Sequence, residues 1–187
     1  MNLNPKFNHL NTESERYSNW LEKDLFTTNL NSNKETFSII LPPPNVTGKL
    51  HLGHAWDGTL QDILIRYKKM QGFEAMWIPG MDHAGIATQA KVDEKLTQEG
   101  TSRFEIGREE FLKEAWNWTE EYSGFIRAQW SKMGFALDYS QEKFTLDEDV
   151  NKSVNKVFVE LYKQGLIYQG NRITNWDPEA KTAISDI

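Results

Sequence analysis

Pro42-Pro43-Pro44-Asn45-Val46-Thr47-Gly48-Lys49-Leu50-His51-Leu52-Gly53-His54 is the stretch on which the fold turns. The run before it, Thr36-Phe-Ser-Ile-Ile-Leu41, is mostly apolar and predicts a central strand of a buried parallel sheet. Three successive prolines lack N–H donors and end that strand at Leu41. Gly48 and Gly53 permit a tight turn or a close approach to a ligand. Downstream, Leu60, Ile63, Leu64 and Tyr67 fall at i, i+3, i+4 and i+7, the stripe of a helix. His51 and His54 therefore stand at a helix mouth, where N–H groups and the dipole favour an anion such as phosphate.

Reading outward, Arg66, Lys68 and Lys69 suit the last turns of that helix, and Gly72 suits its C′ position. Phe73 to Ile78 predicts a second strand, closed by Pro79-Gly80. Strand, helix, strand is a β-α-β unit, for which a right-handed parallel crossover is expected. Ligands of such sheets sit outside the carboxyl ends of the strands. The His51–His54 loop and the Asp82–His83 loop both follow strand ends and are expected to face one crevice.

Ile86 to Gln98 is helical by pattern and Gly100 ends it. Gly107 to Met133 is the longest helical signal. Phe111, Ala115, Trp118, Tyr122, Phe125, Gln129 and Met133 mark one face, widened by Ile126 and Trp130, and this stripe reads as core. Phe135 to Phe144 is irregular. Asp147-Glu148-Asp149 opens another helix, with Val150, Val154, Val157, Phe158 and Leu161 as inner face and Gly165 as stop. Leu166 to Tyr168 and Arg172 to Trp176 are short strand candidates. Ahead of the sheet, Met1 to Leu10 reads as loose. Thr12-Glu-Ser-Glu15 reads as a capping box, with Thr12 at the N-cap, for a helix that carries Tyr17, Trp20 and Leu21. Thr27 to Lys34 is a loop by composition.

The chain has 187 residues, about one domain. It is 39% hydrophobic with seven tryptophans, which argues for a folded segment. Its net charge of −6 would not draw nucleic acid by itself. Without cysteine it can build neither a disulfide framework nor a thiolate metal site. No signal peptide or membrane span is read, so a cytoplasmic protein is expected, with no DNA or membrane partner.

His51-Leu-Gly-His54 resembles the HIGH signature of class I aminoacyl-tRNA synthetases. The longer run Pro42 to His54 resembles the valyl branch of that family. Pro79-Gly-Met-Asp-His-Ala-Gly-Ile-Ala-Thr-Gln89, Asn175-Trp-Asp-Pro178 and Ser185-Asp-Ile187 resemble the same branch. The resemblance covers the chain from about Tyr17 onward. It implies an α/β fold: the first half of a Rossmann-like (HUP-type) parallel-sheet nucleotide-binding catalytic domain with flanking helices. Residues 1–35 would be an N-terminal helical extension. Residues 36–187 would be that half-domain, ending near the start of an editing insertion. No KMSKS lysine loop is present, so a fragment of a longer ligase, with little activity alone, is expected.

The implied reaction joins valine to ATP as valyl-adenylate, then transfers the valyl group to tRNA(Val). ATP with Mg2+ is the implied nucleotide substrate, and no protein-bound metal is expected. By resemblance, His51 and His54 are catalytic, as donors to phosphoryl oxygens. Asn45, Thr47, Gly48, His51, Gly53, His54 and His83 contact ATP. Pro42, Pro43, Asn45 and Asp82 bind valine, Asp82 taking its ammonium. His83 could instead orient Asp82, and the parts of Trp77, Gln89 and Trp176 stay open. Each residue also has a plainer reading: strand termination for the prolines, a turn for Asp82 after Pro-Gly, surface loop residues for the histidines. Competing readings of the chain are a stand-alone HxGH nucleotidyltransferase, a non-catalytic half-domain assembling with a second chain, and a metal hydrolase using His51, His54, Asp82 and His83.

Overall fold

The computed structural model describes residues 6–13, 15–179 and 181–184. The chain divides into two compact units, Met1–Asp147 and Glu148–Ile187. In the first, α1 (His9–Glu13) and α2 (Arg16–Glu22) precede β1 (Thr36–Ile40), α3 (Leu52–Met70), β2 (Glu74–Ile78), β3 (Gly80–Met81), α4 (Gly85–Gln98), α5 (Arg103–Met133) and β4 (Lys143–Phe144). The second holds α6 (Glu148–Lys163), β5 (Trp176–Asp177) and β6 (Thr182–Ala183).

The expected β-α-β order with parallel strands is present. β1 and β2 are parallel, with Thr36 opposite Glu74 and Ile40 opposite Ile78. Pro42 to Pro44 stop β1, and Gly72, at φ +92, closes α3. β3 and β4 form a second parallel pair, Gly80 opposite Lys143. The sequence showed no strand there, because two-residue strands carry no periodicity.

The core gathers Val46, Ile65, Trp77, Ile126, Trp130 and Leu137. Tyr17 and Phe26 belong to the same cluster, so the segment before β1 packs into the first unit. Asp138, buried at 1% exposure, fastens it further. Its carboxylate accepts the Thr28 N–H at 2.9 Å and the Ser140 hydroxyl at 2.6 Å, while its own N–H donates to the Trp77 carbonyl.

α3 turns its polar side inward. Gly58 and Ile65 are buried, whereas Leu60, Ile63, Leu64 and Tyr67 are exposed. A Cβ on Gly58 would lie 2.4 Å from the Phe135 ring, so glycine lets the core approach. The neighbouring polar residues on that face are satisfied. Gln61 Oε1 accepts the Trp77 indole N–H at 3.0 Å, and Asp62 accepts the Ala136 N–H at 2.7 Å and pairs with Arg66. Ile40 of β1 is 82% exposed and Trp56 of α3 is 71% exposed. β1 thus departs from the expected buried strand: its residues alternate in exposure.

Further expectations are corrected. Thr12 does not cap a helix from outside; it lies in α1 and its hydroxyl donates to the Asn8 carbonyl. Ser14 of the expected capping box, Met1 to Pro5 of the N-terminal stretch and Ser185-Asp186-Ile187 lie outside the described residues. Gly107, at φ +79, interrupts α5 near its start, while Gly124 does not. The buried face of α5 is Ser123, Ile126 and Trp130; Phe125, expected in the core stripe, is exposed. In the second unit, α6 begins at Glu148 as expected, but Val154, Val157 and Phe158 are exposed. No strand forms over 166–168 or 172–175; Trp176–Asp177 instead pairs antiparallel with Thr182–Ala183. The apolar periodicity of α3 and α6 reports helix, not which side meets a partner.

Candidate functional site

The loop from Leu41 and the first turns of α3 line a cavity of about 480 Å3. Pro42, Pro43, Asn45, Thr47, Gly48, His51, Gly53 and His54 all line it. These are eight of the residues singled out from the sequence. Asp82 and His83 do not line it, although they join the same loop through the main chain. Val46 N–H donates to the Asp82 carbonyl at 3.0 Å, and Asp82 N–H donates to the Pro44 carbonyl at 2.9 Å. Asn45 and Asp82 form a one-residue parallel bridge. The two loops after β1 and β2 are therefore stitched together, as parallel neighbours should be.

The two histidines cap α3 reciprocally. His51 is the N-cap residue, with an extended backbone. Its Nδ1 accepts the Gly53 N–H at 3.0 Å, and the His51 N–H donates to Nδ1 of His54 at 3.2 Å. This is a capping box in which imidazoles replace the usual hydroxyl and carboxylate. Each Nδ1 is an acceptor, so each neutral ring carries its proton on Nε2. Both Nε2–H groups then remain as donors for a ligand. The ring centroids are 4.0 Å apart. Burial pulls the His54 imidazole below its ordinary pKa and the adjacent His51 adds to this, against the pull of Asp57. The neutral, accepting form is the one the cap requires. Gly53 is needed here too: a Cβ would come 2.8 Å from Cε1 of His51.

The Asp82–His83 loop is organised by a residue the sequence did not flag. The hydroxyl of Thr145 accepts the His83 N–H at 2.9 Å, lies 2.6 Å from His83 Nδ1, and donates to Asp82 Oδ1 at 3.3 Å. With Nδ1–H donating to Thr145, the hydroxyl accepts twice and gives its proton to Asp82, and every contact is satisfied. Asp82 Oδ1 also accepts the Ala84 N–H at 3.1 Å. Ala84 holds φ +41, a left-handed conformation unusual for alanine, at the start of α4. Asp82 keeps 38% of its side-chain surface open to solvent.

Two more side chains went unrecognised as loop contacts. The Trp118 indole N–H donates to the Val46 carbonyl at 2.9 Å. The Gln129 amide makes two bonds to Leu50. A glutamine inside an otherwise apolar and aromatic stripe was the available signal. Trp77 is buried against Phe135 in the core, and Gln89 is exposed on α4. Trp176 lies in the second unit. Among the described residues no cluster of three His, Cys, Asp or Glu side chains could hold a metal ion. None of their helices is long and apolar enough to cross a membrane.

Comparison with known proteins follows the same lines. The chain is 61% identical over its whole length to the valine–tRNA ligase of Staphylococcus haemolyticus (strain JCSC1435), and 60% identical to that of Staphylococcus carnosus (strain TM300). It spans 21% of the length of each. Among solved structures it is similar to the LeuRS of Agrobacterium radiobacter K84, seen in a ternary complex with tRNA and LeuAMS. That likeness has a TM-score of 0.77 at 22% identity, over 96% of this chain and 21% of the other; it concerns the fold, a Rossmann-like synthetase catalytic domain. The family description "tRNA synthetases class I (I, L, M and V)" matches residues 15–187. A strand ended by prolines, a helix capped by two histidines and a parallel crossover are thus the parts of a chain that belongs to the class I tRNA synthetases.

Proposed function

We propose that the chain supplies the ATP- and amino-acid-binding half of the catalytic domain of a valine–tRNA ligase. The observation that carries the reading is the histidine-capped helix mouth in a chain about 60% identical to valine–tRNA ligases along its full length. Residues 36–187 form this half-domain and 1–35 its N-terminal extension. The valine carboxylate attacks the α-phosphorus of ATP, and the bond to the bridging oxygen breaks to release pyrophosphate. A hydroxyl at the 3′ end of tRNA(Val) then takes the acyl group as the bond to the adenylate phosphate breaks and AMP leaves. No protein nucleophile is required, so the protein's part is positioning and charge stabilisation.

His51 and His54 donate through Nε2–H to phosphoryl oxygens as negative charge develops. Asn45, Thr47, Gly48 and Gly53 line the nucleotide's path, and His83 stands at its edge beside Thr145. Pro42 and Pro43 give the valine side chain an apolar wall, Asn45 lies next to them, and Asp82 pairs with the ammonium. Mg2+ arrives with ATP as part of that substrate. The cytoplasm is the compartment that fits this work. ATP–pyrophosphate exchange by the protein that carries this chain tests the reading, with valine, isoleucine, leucine and methionine offered in turn. Exchange stimulated by valine supports it. Stimulation by another of the four, with none by valine, overturns it.

A further inference from the structure

Gln129 of α5 spends both ends of its side-chain amide on one residue. Its Oε1 accepts the Leu50 N–H at 2.8 Å, and its Nε2 donates to the Leu50 carbonyl at 3.0 Å. A side chain thus pairs with Leu50 as a neighbouring strand would. The Leu50 carbonyl and the His51 N–H belong to one planar peptide unit. That same His51 N–H donates to Nδ1 of His54. Rotating this peptide would break the Gln129 bond and the His54 bond together.

We infer that Gln129 is a positioning residue: it fixes the plane of the Leu50–His51 peptide, and through it the tautomer and direction of the His54 ring. Only a primary amide of this length serves, because the site asks one side chain to accept and to donate. Glutamate keeps the acceptor and loses the donor; asparagine is a methylene short. Trp118, through the Val46 carbonyl, secures the earlier end of the loop from the same helix. The part of this inference that concerns rate rests on the function proposed above; the part that concerns the rings does not.

The test is made on this chain with 15N-labelled histidine, reading the ring nitrogens of His54 by NMR alongside hydrogen exchange of the Leu50 amide. In the unaltered chain His54 shows the Nε2–H tautomer. Gln129→Ala is expected to speed Leu50 exchange about tenfold, the weight of one ordinary hydrogen bond, and to shift the His54 signals toward mixed tautomers. Gln129→Glu is expected to keep Leu50 protected while His54 still shifts, because only the bond to the carbonyl is lost. His54 signals unchanged in both variants overturn the inference; if the alanine variant fails to fold, unchanged signals in the glutamate variant do so alone. In the protein that carries this chain, valine-dependent exchange is expected to lose about tenfold in kcat with the valine KM held. Shifted rings without any valine-dependent exchange in the unaltered protein would overturn the function and leave the positioning role standing.

Discussion

After β1 the chain is held from outside: Trp118 and Gln129, both on α5, grip the Val46 and Leu50 main chain, and the two histidines close on themselves. After β2 it is held by Asp82 capping Ala84 and by a single hydroxyl, that of Thr145 just past β4, which serves both Asp82 and His83. The first loop keeps its donors, the two Nε2–H groups, clear of partners among the described residues by spending Nδ1 on the main chain. The second uses part of its acceptor, Asp82 Oδ1, to shape the loop. A donor site suited to phosphoryl oxygens and an acceptor site suited to an ammonium are thus built by different means on adjacent strand ends. Changes in one should be separable from changes in the other.

The sharpest break is His54→Ala. In the proposed reaction it removes one donor to the developing charge and the acceptor for the His51 N–H. Adenylate formation should fall about 10²–10³-fold, with a cooperative melt retained. Pre-steady-state exchange kinetics check this, and an unchanged rate would remove His54 from the chemistry. Gly53→Ala reaches the same place without touching a histidine. Its Cβ displaces the His51 ring, so exchange should fall nearly as far while the melting temperature drops by a few degrees.

The second loop should respond differently. Asp82→Asn removes the charge that would pair with the ammonium. The valine KM should rise by about 10–100-fold, with the ATP KM close to its original value. Equal losses for both substrates would show that Asp82 only shapes the loop. Thr145→Val is the milder form: it keeps the size and deletes the hydroxyl. A rise in valine KM of about fivefold, with His54 signals untouched, would confirm that the two sites are held independently.

This contrast also marks what could be read from residue order. The first loop was legible because its determinants are local: prolines that end a strand, glycines that let the chain turn, and histidines at a helix start. The eight of its residues singled out from the sequence all line one cavity. The crossover followed, since β1 and β2 each show a strand pattern. Thr145 was not legible, because it reaches Asp82 and His83 from sixty-odd residues away with no motif around it. Nor was the inner side of α3. Its apolar stripe is conspicuous, yet the buried face is built on Gly58, Ile65 and the hydrogen-bonded Gln61 and Asp62. Apolar content says that a face will be covered; it does not say by what, and in this chain Leu60, Ile63 and Leu64 stand open.

The smallest predicted effect comes from acid. The native His54 has its pKa lowered, by burial first and by His51 second. The unfolded chain therefore takes up that proton more readily than the folded one. The stability this gives is fully present above the unfolded value, about 6.5, and is lost as pH falls through the lower native value. Protonation also puts a hydrogen on Nδ1, where the His51 N–H already points, so the cap opens as the ring charges. His54→Gln separates it from every other titration: its amide oxygen can still accept the His51 N–H at the third helical position, but it does not titrate. Melting temperatures of the two proteins should run parallel above pH 7 and diverge below it, the histidine form falling faster. Parallel curves down to pH 5 would mean that the ring's proton and the helix cap are not coupled.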